Sequence, residues 1–300
     1  MRNKPLGGLL GVVLANFIWA GSFPATAIAL VQVPPSFLTL VRLGAGALLL
    51  APALLRERKS ENFTVQTLFI ALVLGCVGFS LPVYFETKGL GLSTPAIASV
   101  MMALEPIFTA LVAAILLRET LTLRRKAALL IAFIGAWAIA GFPRPGNLGY
   151  LNGDLLLVFA VFCYALYNAY SKQLIVRVSA MSATSMTLLG GFLGAIPMWL
   201  AKGAPLPHGL ALPVLLAVIY LAILATAGAY FLWLFALTMF SAAKVSLFLY
   251  IQPILGVVLS FLIVRTRPES TFFIGASFIL LALYISERKT QPTLPTGPFA

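Results

Sequence analysis

Ten apolar runs of about 20 residues follow one another along the 300-residue chain, separated by short polar or Pro/Gly-containing connections. A helix of that length spans the hydrocarbon core of a bilayer, where every backbone polar group must be bonded within the protein. The runs therefore predict an all-α integral membrane protein with ten transmembrane helices and no separate soluble domain. We place the spans at residues 6–31, 34–55, 67–87, 94–117, 124–142, 153–175, 182–201, 212–238, 242–264 and 271–286.

The composition excludes an ordinary soluble protein. Apolar residues make up 61% of the chain and charged residues 9%, whereas soluble domains carry about 25% charged residues. The net charge of +12 would suggest a nucleic-acid partner in a soluble protein, but the basic residues here lie mainly between apolar runs, so we expect none. The single histidine, His208, lies in a Pro/Gly-rich loop without the partners that a metal site needs. We therefore predict no metal and no cofactor.

The basic residues also predict the orientation of the chain. If the N-terminus is cytoplasmic, 13 Lys/Arg residues lie on the cytoplasmic side and 5 on the outside. Cytoplasmic connections of membrane proteins carry such an excess, so both termini are predicted to be cytoplasmic. The first apolar run, Leu6–Val31, is longer than the apolar part of a signal peptide, and we interpret it as a span.

An acidic residue interrupts the apolar stretch Met101–Arg118, where Glu105 stands directly before Pro106. A charged carboxylate facing lipid costs on the order of 2.5–3.5 kcal/mol, so Glu105 is expected to face the interior of a helix bundle or water. The pair recurs as Gln252-Pro253, 147 residues later. Each proline removes a backbone hydrogen bond, which predicts a helix break at both places; the alternative is a curved helix that fits its neighbours.

Other positions recur at nearly the same spacing and indicate an internal duplication. Matches 145 residues apart include Phe17 with Phe162 and Pro52 with Pro197. We therefore divide the chain into a first repeat at 1–145 with spans one to five, a second repeat at 146–288 with spans six to ten, and a cytoplasmic tail at 289–300. Because five is an odd number, the second repeat enters the membrane inverted, with a pseudo-twofold axis in the membrane plane.

Polar and aromatic side chains share one face of two repeat-equivalent spans. Asn16 and Trp19 are three residues apart on the first span, and Tyr164 and Asn168 are four apart on the sixth. Both faces are predicted to point towards the pseudo-twofold axis. Such a lining suits a zwitterion with an apolar or aromatic side chain, although each residue could equally belong to the packed core.

Three stretches resemble a known family: NFIWAGSF at Asn16–Phe23, LVRLGAGALLLAP at Leu40–Pro52 and ALEPIFTALVAAILLRETLT at Ala103–Thr122. They are similar to EamA-type, ten-helix members of the drug/metabolite transporter superfamily. Within it, chain length and aromatic content most resemble the YddG-type aromatic amino-acid exporters. The resemblance implies two repeats that rock about a midplane cavity walled by spans one, three, four, six, eight and nine.

The resemblance adds further candidates to the cavity. Tyr84 and Trp233 lie in the third and eighth spans, and Met101 and Met102 would supply a soft, adaptable wall. Lys244, near the start of the ninth span, either contacts a substrate carboxylate or extends to the lipid headgroups.

The charged residues inside the spans have several possible roles. Glu105 is a proton-coupling carboxylate, a polar group of the cavity or a protonated acid that only shapes packing; the neutral Gln252 at its repeat position argues against a proton relay. Glu86, near the predicted end of its span, ranks below Glu105. Arg42 is expected to bond carbonyl groups of an adjacent helix rather than to contact the substrate. We place substrate contacts at Glu105 and Gln252, and gating at the Pro106 and Pro253 breaks.

These observations predict a secondary transporter of the cell inner membrane that exports amino acids, aromatic and other apolar ones, with broad specificity. The alternative substrates are amphipathic or cationic drugs and metabolites, for which Glu105 is suited, or nucleotide-linked sugars, which need more basic groups than Lys244 and Arg42. No motif for an enzyme is present in the spans. The partners expected are a small-molecule substrate and the lipid bilayer, with a functional monomer because the fused repeat supplies both halves.

Overall fold

The computed structural model describes residues 4–57, 64–92, 101–118, 120–140, 142, 151–264 and 270–287. All regular structure in these ranges is helical, which confirms the all-α prediction. Seven helices are continuous: α1 (Lys4–Ala29), α2 (Pro35–Glu57), α4 (Glu105–Leu116), α5 (Leu123–Ile139), α6 (Leu151–Leu174), α7 (Ala180–Leu200) and α10 (Ser270–Glu287).

The other three helices are interrupted along their length. Helix α3 comprises Val65–Gly75, a π-helical turn at Cys76–Ser80 and Leu81–Leu92. Helix α8 comprises Leu212–Ala222, a π-helical turn at Ile223–Gly228 and Ala229–Leu237. Helix α9 comprises Ala242–Leu247, a 3₁₀ turn at Phe248–Tyr250 and Ile251–Val264.

Among the described residues, six helices are long and apolar enough to cross a membrane, namely α1, α2, α3, α6, α7 and α8. The described parts of the fourth, ninth and tenth predicted spans form shorter apolar helices. Helix bounds agree with the predicted spans to within three residues, except that α3 continues five residues beyond the third span and α4 begins at Glu105, inside the fourth span. Residues 94–100 of the fourth span and the predicted tail at 289–300 lie outside the described residues. Large apolar side chains remain exposed around the outside of the bundle, as lipid contact requires; Leu48 and Ile115 are each 76% exposed.

Hydroxyl side chains define the start of four helices. Thr64 accepts a hydrogen bond from the backbone N–H of Thr67 at 3.1 Å at the start of α3. Thr122, Ser179 and Ser241 cap α5, α7 and α9 in the same way. The first N–H groups of a helix have no partner within it, so each cap satisfies a donor that would otherwise need water.

Helices from the two halves of the chain pack against each other throughout the bundle. Helix α2 lies against α7, α5 against α10, α1 against α8 and α9, and α6 against α3 and α4. Where α3 meets α7 the backbones touch, because a Cβ atom on Gly190 would clash with the carbonyl oxygen of Leu72. This agrees with the close approach that small residues spaced four apart, Gly190 and Gly194, favour in membrane helices.

Both proline pairs follow an interruption of the helix. The turn before α4 is closed by a 3.1 Å hydrogen bond from the backbone N–H of Leu104 to the carbonyl of Met101, and Pro106 lies in the first turn of α4. In α9, Pro253 lies in the first turn after the 3₁₀ segment. A proline is tolerated there because a first-turn N–H has no helical partner to lose. The breaks thus fall just before the prolines, and Glu105 begins a helix instead of standing inside one.

Candidate functional site

Asn168 on α6 connects three helices through its side chain. Its Nδ2 donates to Oε1 of Glu105 at 3.0 Å and to Oγ1 of Thr109 at 3.4 Å, both on α4. Its Oδ1 accepts a 2.8 Å hydrogen bond from the indole Nε1 of Trp233 on α8. Asn168 is 4% exposed and Trp233 is 1% exposed. Since both the amide nitrogen and the amide oxygen are engaged, the side chain is held in one orientation.

A second amide pair lies between α1 and α9. Gln252 donates from Nε2 to Oδ1 of Asn16 at 3.0 Å, and Asn16 donates from Nδ2 to the carbonyl of Val12 at 2.7 Å. The arrangement parallels the first pair. In each half, the residue that precedes the proline is bonded to an asparagine from the first helix of the other half.

An aromatic cluster adjoins the first pair. The ring of Trp19 lies 5.0 Å from that of Tyr230 and 5.4 Å from that of Trp233, and Tyr230 lies 4.4 Å from Phe79. The indole Nε1 of Trp19 donates to the carbonyl of Ala225 at 2.9 Å. Tyr230 was not among the predicted residues. Its position three residues before Trp233, on the same face of α8, is the sequence signal that could have identified it.

Glu86 on α3 faces α6. The hydroxyl of Tyr164 on α6 donates to Oε2 of Glu86 at 2.8 Å, and α3 continues to Leu92 beyond it. Glu86 stands 147 residues before Trp233, and Trp19 stands 145 before Tyr164. The acid–phenol pair of one half thus corresponds to the indole pair of the other.

Arg42 of α2 brings a positive charge to the same region. Its Nε donates to Oγ1 of Thr226 at 3.3 Å, and Thr226 itself donates to the carbonyl of Leu221 at 2.7 Å across the π turn of α8. Thr226 lies four residues before Tyr230 on α8, which places Arg42 next to the aromatic cluster. The expected carbonyl contacts of Arg42 are therefore replaced by a side-chain hydroxyl.

The two carboxylates of the site, Glu86 and Glu105, belong to no cluster of potential metal ligands among the described residues. Across the part of the chain that the structure describes, no three or more His, Cys, Asp or Glu side chains lie close enough together to hold a metal ion. The polar groups of the site are instead amides, carboxylates, one guanidinium and phenols, which are suited to binding an organic molecule through hydrogen bonds and charge.

The remaining predicted residues lie around this site or away from it. Met101 and Met102 are half-buried just before the turn that leads to Glu105. Tyr84 packs against the ring of Phe85, with the ring centroids 5.5 Å apart. Lys244 lies at the start of α9, where its Nζ is 4.4 Å from the centre of the Phe240 ring.

The sequence matches a family of membrane transporters along nearly its whole length. Residues 6–141 and residues 151–287 each match the EamA-like transporter family. The chain therefore belongs to the EamA-like transporter family and is a multi-pass membrane transporter.

Related proteins cover almost all of the chain at low identity. An uncharacterized transporter of Archaeoglobus fulgidus is 25% identical over 93% of this chain and 96% of its own length. A probable terminal-alkyne amino-acid exporter of Streptantibioticus cattleyicolor is 25% identical, with 93% of each chain covered. A probable amino-acid metabolite efflux pump of Escherichia coli is 22% identical over 91% of this chain and 92% of its own.

The fold also matches a solved structure. A protein of known crystal structure superposes with a TM-score of 0.76 at 21% identity, covering 96% of this chain and 97% of the other. At that identity the likeness concerns the fold alone.

Proposed function

We propose that this chain is a secondary transporter that exports amino acids, aromatic and other apolar ones, with broad specificity. The observation that carries the proposal is the junction of Glu105, Asn168 and Trp233, where a carboxylate and an amide lie beside indole and phenol rings in the bundle interior. Two relatives whose names refer to the export of amino acids or their metabolites support the same substrate class.

The chemistry of the site suits an amino acid with an apolar side chain. Carboxylate and amide oxygens accept hydrogen bonds from an ammonium group, and charged hydrogen bonds are about twice as strong as neutral ones. The rings of Trp19, Trp233 and Tyr230 offer a large apolar surface next to these groups. Aromatic surfaces accept side chains of different shapes, which favours a broad range of apolar substrates over a single one.

We propose a topology of ten spans in two inverted repeats, at 1–145 and 146–288, with both termini in the cytoplasm of a cell with an inner membrane. The helix packing supports this topology, because the first helix of each proposed repeat packs on the fourth helix of the other: α1 packs on α9, and α6 packs on α4. The chain would work as a monomer because each half already faces the other.

Alternating access is the proposed mode of transport. The interruptions of α3 and α8 support it, because their π turns begin at Cys76 and Ile223, positions 147 residues apart. π-Helical turns inside α-helices are frequently found at functional sites, and they interrupt the regular hydrogen-bond pattern. The breaks before Pro106 and Pro253 provide two further places where a helix can bend. The halves would rock about the central site through these four interruptions.

Purified protein in liposomes provides the direct test. Liposomes loaded with unlabelled phenylalanine should accumulate labelled phenylalanine or methionine faster than protein-free liposomes. Competition by a panel of unlabelled metabolites then defines the substrate range. If no amino acid is exchanged, the proposed substrate class is wrong.

Export of amphipathic or cationic metabolites and drugs is the second candidate. The observation that favours it is the presence of two carboxylates, Glu86 and Glu105, whose partners Tyr164 and Asn168 lie four residues apart on α6. A lipophilic cation that competes more strongly than phenylalanine in the same assay would support this candidate. The same acidic pair disfavours nucleotide-linked sugars, whose phosphates require several basic partners.

A further inference from the structure

We infer that Arg42 and Glu86 recognise the α-carboxylate and the α-ammonium group of the substrate, with Glu105 as a second acceptor for the ammonium. The inference rests on the proposed function and goes beyond it by assigning the two charged ends of an amino acid to named residues. Three structural observations support it: partial anchoring of the charged groups, the gap between them, and the adjacent aromatic wall.

Each carboxylate is anchored through one oxygen only. Oε2 of Glu86 accepts from Tyr164, and Oε1 of Glu105 accepts from Asn168. The other oxygens, Oε1 of Glu86 and Oε2 of Glu105, accept no hydrogen bond from the described residues. Both side chains are half-buried and not sealed into the core. A carboxylate that is held by one oxygen is positioned to accept an ammonium N–H with the other.

Arg42 is anchored in a comparable way. Its Nε donates to Thr226, while its two terminal amino groups donate no hydrogen bond within the described part of the chain. The side chain is half-buried. The planar guanidinium presents its terminal N–H groups in a fork that matches a carboxylate, which makes arginine better suited than lysine to this role.

Arg42 and the acids do not neutralise one another by direct contact. No ion pair within 4.0 Å connects Arg42 to Glu86 or Glu105 among the residues described. Charges taken out of water need partners of opposite sign. A zwitterion supplies both partners at once, because its carboxylate faces the guanidinium while its ammonium faces the acids.

Tyr230 connects the charged groups to the aromatic cluster. It follows Thr226, the hydrogen-bond partner of Arg42, by four residues on α8, and its ring lies 5.0 Å from that of Trp19. An amino acid held by its charged ends would therefore direct its side chain towards Trp19 and Trp233. This arrangement requires a free amine, a free carboxylate and an apolar side chain in one molecule.

Calorimetric binding to the purified full-length protein tests the assignment with three ligands: phenylalanine, phenylalanine amide, which lacks the carboxylate, and N-acetylphenylalanine, which lacks the ammonium. The unmodified protein should bind each altered ligand tenfold or more weakly than phenylalanine, the effect of one lost charged hydrogen bond. Arg42→Gln should abolish the preference for phenylalanine over its amide and retain the preference over the N-acetyl form. Glu86→Gln should show the opposite pattern.

Matched variants separate recognition from folding. Arg42→Lys keeps the charge and loses the fork, so its preference for phenylalanine over the amide should be intermediate. Lys88→Gln, an exposed change on the same helix as Glu86, should leave all three affinities unchanged. Melting temperature and size-exclusion profile show whether each variant is folded. The comparison of the three ligands on the unmodified protein does not depend on any variant being folded.

The outcomes distinguish this assignment from the proposed function. Equal affinity of the unmodified protein for phenylalanine and its amide would overturn the role of Arg42. So would an Arg42→Gln protein whose affinity falls by the same factor for both ligands. Binding of a lipophilic cation without binding of any amino acid would overturn the proposed function itself. Export of amino acids with unchanged ligand preferences in both variants would overturn the assignment alone.

Discussion

Asn168 on α6 donates a 3.0 Å hydrogen bond to Oε1 of Glu105 on α4. A helix from the second half of the chain thereby holds the acid of the first half. Because the same amide oxygen accepts from Trp233, any movement of α4 relative to α6 and α8 must change this junction. It connects the polar and aromatic parts of the site.

Replacing Asn168 should therefore affect both stability and transport. Asn168→Leu leaves Oε1 of Glu105 and the indole N–H of Trp233 without their partner, and each unsatisfied buried group costs about 1–3 kcal/mol. We expect a lower melting temperature in detergent and a reduced export rate in liposomes. Asn152→Leu, an exposed change on the same helix, is the control. Equal melting and flux for the two variants would show that the junction contributes neither stability nor transport.

Proton coupling through Glu105 is a separate prediction. A carboxylate among helices can take up and release a proton during transport, and glutamine at the repeat-equivalent position cannot. Glu105→Gln should therefore remove the dependence of export on a pH gradient while substrate exchange continues. Gln252→Glu tests whether the other half can host a carboxylate. Full flux with an unchanged pH-gradient dependence in Glu105→Gln would rule out the coupling role, and Glu86 would be the next acid to examine.

The contact of α3 with α7 should not tolerate a side chain. A Cβ atom on Gly190 would overlap the backbone of Leu72, whereas one on Gly7 of α1 would meet the ring of Phe235 at 3.9 Å. Gly190→Ala should lower the melting temperature. Gly7→Ala should be neutral or stabilising by up to about 1 kcal/mol, since alanine favours helix more than glycine. If Gly190→Ala melts like Gly7→Ala, the α3–α7 packing is looser than the structure indicates.

The proposed topology predicts which connections can be labelled from outside the cell. Both native cysteines lie in helices, so they are replaced by alanine first. A cysteine at position 208 (His208→Cys), between α7 and α8, should react with an impermeant maleimide in intact cells. One at position 176 (Val176→Cys), between α6 and α7, should react only after the membrane is opened. The reverse pattern would invert the orientation, and labelling of both from outside would contradict the ten-span alternation.

Much of the site could be predicted from residue spacing because the pattern on a helix defines a face. Asn16 and Trp19, and likewise Tyr164 and Asn168, share faces, and the structure joins each of the four to a partner on another helix. Spacing does not define which helix lies opposite. Three contacts between helices could therefore not be predicted from spacing: Tyr164 with Glu86, Asn168 with Trp233, and Arg42 with Thr226.

The sequence by itself determined the class of this protein, the positions of its helices and the inward side of Glu105. The physical reason is that the bilayer fixes the length of a spanning helix and penalises a charge that faces lipid. Only the tertiary structure decided how the helices rotate and slide against one another. That joined Glu86 to Tyr164, brought Tyr230 against Trp19 and Phe79, and left Lys244 beside Phe240. Packing between distant helices sets these contacts, and a single helix carries no information about its neighbours' rotation.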